Sequence, residues 1–220
     1  MIKKRFTFKQ NKGMTLIEMI VTFALLAIFL VSAATIIGTV SVMYYDIKAE
    51  NYSKQVTDIV LDKIESEVDG ARYNSETVTE NLRIEAAGSE ETNENLDHGP
   101  AVVLYDKSNT KVKIYKDDNK ELVIHYYPIG VNYGETDWKF DKSVYNYYKI
   151  TNLEFVRGDK LSEYGKAADY GLNSYGTYGE DVIVVFITLH HPEYGDYNSY
   201  RFIRMYNANN INAGNGSTGG

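Results

Sequence analysis

The 220-residue chain has no cysteine. That excludes disulfide staples, thiol chemistry, lipoprotein anchoring and cysteine-ligated metal. Positive charge is scarce beyond the first residues. The net charge is −7, and Lys3, Lys4, Arg5, Lys9 and Lys12 all precede residue 13, so the remainder carries −12. Such a balance argues against direct nucleic-acid binding through phosphate neutralisation. Catalytic signatures are missing too: there is no glycine-rich phosphate loop with a lysine, no nucleophile elbow and no zinc-protease helix motif. The many carboxylates fall in polar loops, without an apolar pocket to perturb them. The sequence points away from an enzyme and calls for no cofactor.

The most consequential absence is of any charge between Glu18 and Asp46. The 25 residues from Met19 to Met43 are almost wholly apolar. As a helix they would extend roughly 37 Å, more than the ~30 Å hydrocarbon core of a bilayer. Basic residues before this run and Asp46 after it predict the N-terminus in the cytoplasm and the rest outside. Glu18 is the anomaly. An isolated carboxylate in hydrocarbon costs roughly 2.5–3.5 kcal/mol even on lenient scales, so it persists where it has a partner. A free amine at Met14 would lie about one helical turn away. It could neutralise Glu18 within one chain, or in the neighbouring chain of a helical polymer.

The stretch K-G-M-T-L-I-E-M-I-V, residues 12–21, resembles the class III leader of type IV pilins and pseudopilins. The resemblance implies cleavage between Gly13 and Met14 by a prepilin peptidase that also N-methylates Met14. It further implies that Glu18 is the family's glutamate, setting filament register and assembly. Two positions depart from the family pattern: Met14 stands where phenylalanine is usual, and Thr35 where a proline is common. The implied partners are the peptidase/methyltransferase, other pilin subunits through the N-terminal helix, the pilus assembly machinery and the cytoplasmic membrane. The implied location is a single-pass membrane protein before assembly, and an extracellular or periplasmic filament after it. The 207 residues after Gly13 and the loop-rich domain suit a minor subunit better than a major one. Two blander readings compete for the N-terminus: an uncleaved anchor, and a signal peptide cut near Ser32-Ala33-Ala34. Against the latter, the apolar run continues through Ile36, Ile37, Val40 and Val42.

Further along, Tyr52, Val56, Ile59, Val60, Ile64, Val68 and Ala71 recur at intervals of three or four, with charges between them. This is an amphipathic helix, with Gly70 as its stop. Strand patterns follow at residues 101–105, 111–116, 121–127, 150–157, 181–189 and 200–206, with a short element somewhere in 78–86. Residues 181–189 are apolar throughout, which suits a central strand buried on both faces. Residues 128–148 and 158–180 read as irregular connections. The expected fold is α+β and similar to that of type IV pilins: a long N-terminal helix, hydrophobic then amphipathic, packed on an antiparallel sheet. The expected divisions are a leader at 1–13, a membrane or filament-core helix at 14–43, and an amphipathic helix at 44–71. A globular region at 72–206 and a mobile Asn/Gly/Ser tail at 207–220 complete the chain.

Six Tyr-Gly pairs punctuate the second half. Tyrosine offers a flat apolar face with one hydroxyl, and glycine lets backbone approach closely. Tyr164, Tyr170, Tyr175 and Tyr178 are therefore a candidate binding surface for sugars, cell-wall polymers or protein. The competing expectation is a loop that packs its own tyrosines over the sheet edge. Separately, the glycine content of residues 158–180 predicts that this segment is surface-exposed and dispensable for folding. On the binding-surface expectation, the chain would be a monomeric membrane-anchored binding protein rather than a filament subunit. No metal site is expected. Asp117, Asp118, Asn119 and Glu121 do not match the calcium-loop spacing, and adjacent His190 and His191 would face opposite sides of a strand.

Overall fold

In the computed structural model, the residues described are 13–71, 82–86, 96–106, 108, 110–127, 134–179 and 181–205. All of the expected 1–13 leader except Gly13, the tail at 207–220, and parts of the 78–86 and 128–148 segments lie outside them. The chain divides into two units, Met1–Lys48 and Ala49–Gly220. Helix α1 runs Leu16–Asp69, in keeping with the absence of proline anywhere in that stretch.

In the second unit, Val56, Val60, Leu61, Ile64 and Val68 form the buried stripe of α1. The described residues of this unit also form nine antiparallel strands: β1 Leu82–Glu85, β2 His98–Gly99, β3 Ala101–Tyr105, β4 Lys111–Lys116, β5 Leu122–Tyr127, β6 Thr136–Lys139, β7 Lys149–Arg157, β8 Val182–His191 and β9 Gly195–Arg204. They form two sheets, ordered β1-β3-β4-β5-β6 and β2-β7-β8-β9, where the sequence suggested one. The split occurs at Pro100. Lacking an N–H, proline interrupts what would be a continuous strand, so β2 pairs with β7 while β3 pairs with β1 and β4. Gly99 makes the crossover possible, because a Cβ there would sit 2.5 Å from the Glu85 carbonyl oxygen. Both sheets feed one core. Val102, Leu104, Ile114 and Ile124 from the first, and Phe155, Val185, Ile187 and Leu189 from the second, cluster with the helix stripe. Each such side chain contributes on the order of 1.5–3 kcal/mol when fully buried.

Polar side chains secure both flanks of the helix. Asp58, Asp62 and Glu65, spaced along one flank, all accept from the Arg201 guanidinium on β9. On the other flank, Glu67 accepts from the Tyr126 hydroxyl at 3.0 Å, and the Lys63 ammonium lies 4.5 Å above the Trp138 ring. On the face of the first sheet turned away from the helix, Glu85 and Lys113 are fully buried and 2.9 Å apart. The Arg83 guanidinium donates twice more to Glu85, at 2.6 and 3.0 Å. These bonds satisfy charges that would otherwise be costly to bury.

β8 is interior to its sheet and covered on both sides, as its unbroken apolar pattern implies. The second cover comes from the connection after β7, which corrects the expectation that residues 158–180 are exposed and dispensable. This segment folds into two 3-10 turns, Gly158–Glu163 and Ala167–Tyr170. Leu161, Tyr164, Ala167 and Leu172 are buried against Val156, Val184 and Phe186. Gly158 permits this approach, because a Cβ there would lie 2.9 Å from the Cβ atoms of Tyr178 and Val182. The physical reason is simple: a strand apolar on both faces needs two covers, and one helix supplies only one.

Two outcomes follow. Leu161→Ala should destabilise the second unit by about 2–5 kcal/mol, seen as a thermal midpoint lowered by roughly 5–15 °C. Replacing residues 158–180 with a Gly/Ser linker should abolish the cooperative melt. A further outcome concerns Tyr145, which is buried and accepts a hydrogen bond from the Leu122 N–H at 2.8 Å. Burial above all, with Glu121 and Asp117 nearby, pushes its hydroxyl up to about 12. The unfolded chain ionises this group near the ordinary value of about 10, so the folded state binds more protons between the two. Stability from this group is complete below pH ~10 and falls as pH rises toward 12. Tyr145→Phe should flatten that alkaline loss in pH-dependent denaturation curves.

Candidate functional site

Gly13, Met14 and Thr15 precede the first turn of α1, in irregular backbone. Met14 is 64% exposed. A Cβ built on Gly13 would meet nothing within 4 Å. Among the described residues nothing packs against that position to demand a glycine, and Gly13 and Met14 are both exposed.

Three hydrogen bonds join Thr15 to Glu18. The Thr15 N–H and hydroxyl donate to Glu18 Oε2 at 2.8 and 2.9 Å, and the Glu18 N–H donates back to Thr15 Oγ1 at 3.3 Å. This is a reciprocal capping box, in which the N-cap side chain and the residue three positions on satisfy each other's backbone donors. The sequence reasoning missed Thr15, although T-x-x-E is the spacing that announces such a cap. Glu18 thus has a partner within its own chain, separate from any amine.

From Met14 to Ile47 every large apolar side chain is between 48% and 80% exposed. Between Met19 and Met43, Thr22, Ser32, Thr35, Thr39 and Ser41 each donate a hydroxyl to the carbonyl four residues earlier. Serine and threonine hydroxyls bonded to their own helix backbone suit a segment that faces lipid or other apolar helices. By length and composition α1 suffices to cross a membrane.

The tyrosines of the candidate binding surface have different fates. Tyr164 is 4% exposed. Its hydroxyl donates to Glu154 Oε2 at 2.8 Å and its ring packs 4.9 Å from Phe186. Burial, then the Glu154 carboxylate, pushes that hydroxyl well above the usual tyrosine range. Tyr170 accepts from the Asn152 amide at 2.7 Å and also packs on Phe186. Tyr178 lies on Phe202, and only Tyr175 of the four is exposed. Three of the four are thus engaged in packing, and the structure does not gather them into one open face. The histidines likewise have local partners: His98 with Glu154, His125 with Asp137 and His190 with Asp196. His191 points the other way, stacked on Tyr194 at 4.5 Å. Among the described residues no cluster of His, Asp and Glu has the arrangement of a metal site.

Losing the cap should be measurable. Thr15→Val should speed amide exchange at the first helical residues about fivefold, in line with the ~1 kcal/mol of an N-cap. Thr15→Ser should preserve wild-type protection, with hydrogen-exchange mass spectrometry on the detergent-solubilised full chain as the readout.

Residues 8–34 match the family model described as the prokaryotic N-terminal methylation motif. No curated protein and no solved structure matches the chain. The matched segment contains Gly13, Met14, Thr15 and Glu18 together with the beginning of the exposed apolar helix. The match supports reading this N-terminal segment as a type IV pilin-type precursor motif, of the kind that prepilin peptidase processes.

Proposed function

We propose that this chain is a structural subunit, minor rather than major, of a type IV pilus or pseudopilus. The methylation motif at residues 8–34 carries the reading, since it coincides with an exposed Gly13 and Met14 at the foot of an apolar helix. On this reading the peptidase cuts after Gly13 and methylates Met14. The subunit then waits in the cytoplasmic membrane with its domain outside, and enters a filament by packing the apolar run of α1 against other subunits. The role is assembly rather than chemistry. The domain divisions at 13/14, 43/44, 71/72 and 206/207 belong to the same proposal. The membrane-anchored receptor is less well supported, because Tyr164, Tyr170 and Tyr178 are engaged in packing.

Glu18 provides the test. If it pairs with the terminal amine of a neighbour, removing the carboxylate leaves that amine buried and unpaired, a loss of about 3–5 kcal/mol for a broken buried pair. Glu18→Ala should therefore still be cleaved at Gly13 and still reside in the membrane, yet be depleted from sheared filaments at matched expression. N-terminal mass spectrometry establishes the cleavage, and Gly13→Ala, which should accumulate the longer precursor, is its control. Equal incorporation of cleaved Glu18→Ala and wild type would remove the assembly role from Glu18.

A further inference from the structure

The globular unit has one surface whose features its packing does not explain. A cleft of about 860 Å³ opens where the β4–β5 turn, the 3-10 turn Lys142–Tyr145 and the β8–β9 turn meet. Lys120, Lys142 and Lys149 line it, and among the described residues none of the three ammonium groups has an ion-pair partner. Among the described residues of the same unit eight other lysines and arginines are ion-paired, while Lys54, Lys116 and Lys166 are not. Glu121 is the single carboxylate in the lining. The lining thus carries three lysines against one carboxylate.

Backbone strain gathers in the same place. Among the described residues the non-glycine positions with positive φ are Lys120 at 65°, Asn146 at 43° and Tyr147 at 68°, and all three line the cleft. Left-handed backbone at a bulky residue such as Tyr147 is an outlier that persists only where its surroundings enforce it, and such strain concentrates at ligand sites. Here the surroundings are identifiable. The Lys120 carbonyl accepts from the Ile150 N–H at 2.9 Å, and Asn146 and Tyr148 donate back to Ser143 and Tyr145. The result turns Tyr147 outward until it is 81% exposed, at the rim of a cleft that also offers the Asn119 and Asn146 amides.

We propose that this cleft binds a short stretch of acidic saccharide, bearing carboxylate or phosphate. The lysines take the charged groups, the two amides match hydroxyls, and the Tyr147 ring supplies a flat apolar face for a pyranose. A nucleic-acid strand is the poorer fit. It would need a basic track and successive stacking platforms, whereas this cleft has one strongly exposed ring, Tyr147. The proposal is independent of filament assembly, since every residue it uses lies within Ala49–Gly220.

The test is an NMR titration of the full chain in neutral detergent, using trigalacturonate, phosphorylated pentamannose, maltotriose and the oligonucleotide dT10 as probes. Saturable binding of either acidic saccharide, with none for neutral maltotriose, is expected. The double variant Lys142→Ala/Lys149→Ala should weaken it roughly tenfold, the size expected for two lost solvent-accessible charge contacts. Tyr147→Gly should abolish binding while raising the melting temperature by about 2–4 °C, because glycine adopts the left-handed backbone without strain. The proposal falls if neither acidic saccharide saturates, or if the double variant binds as wild type does. It also falls if dT10 binds more tightly than both saccharides, or if Tyr147→Gly lowers binding and melting temperature together.

Discussion

Val60, Ile64 and Val68 have no exposed surface, and the two sheets depend on them in common. The sheets are hydrogen-bonded as separate ladders, joined in the chain at Pro100 and by the bond from Ile150 to Lys120. A sheet with one apolar face must cover it, and the stripe on α1 covers both at once. Charge then fixes how the helix lies. Arg201 draws three carboxylates on one flank toward the second sheet, while Tyr126 and Trp138 engage Glu67 and Lys63 on the other, toward the first. Exposed ion pairs contribute little individually. Their value here is directional, since apolar contacts alone would tolerate rotation of the helix about its axis.

How far the sequence foretold this varies with the kind of interaction involved. β3 and β4 were recoverable to the residue, because alternation and a turn between them are local signals. β6 escaped notice because T-D-W-K is mostly polar, and its place depends on pairing with β5 rather than on its own composition. The division into two sheets is non-local in the same way. It depends on which strand Gly99 and Ala101 each find, and no periodicity records that choice. The segment 158–180 was misjudged for a different reason. Tyrosine and glycine suit a binding loop and a packed loop equally, so their abundance could not decide. The deciding information lay in Val182–His191, whose apolar run called for a second cover that only this segment could supply.

At the N-terminus the motif was plain, but the geometry around it was not. Gly13, Met14 and Glu18 stand out by their types and spacing, whereas Thr15 resembles any other residue of an apolar leader until the hydrogen bonds are drawn. Those bonds also bear on the proposed assembly. Both bonds from Thr15 go to Oε2 of Glu18, and the other oxygen, Oε1, takes no bond from within the described chain. A carboxylate has lone pairs on both oxygens and accepts on each. The capping box can therefore persist while Oε1 accepts from the amine of a neighbouring subunit. In that arrangement the subunit in the membrane holds Glu18 in one rotamer, already partly satisfied, and the neighbour adds a charge-assisted bond to a carboxylate that need not reorganise. Preorganisation of this kind reduces the ordering that association would otherwise require. On the proposed assembly, the cap would partly satisfy Glu18 before a neighbour arrives and leave one oxygen free for that neighbour's amine.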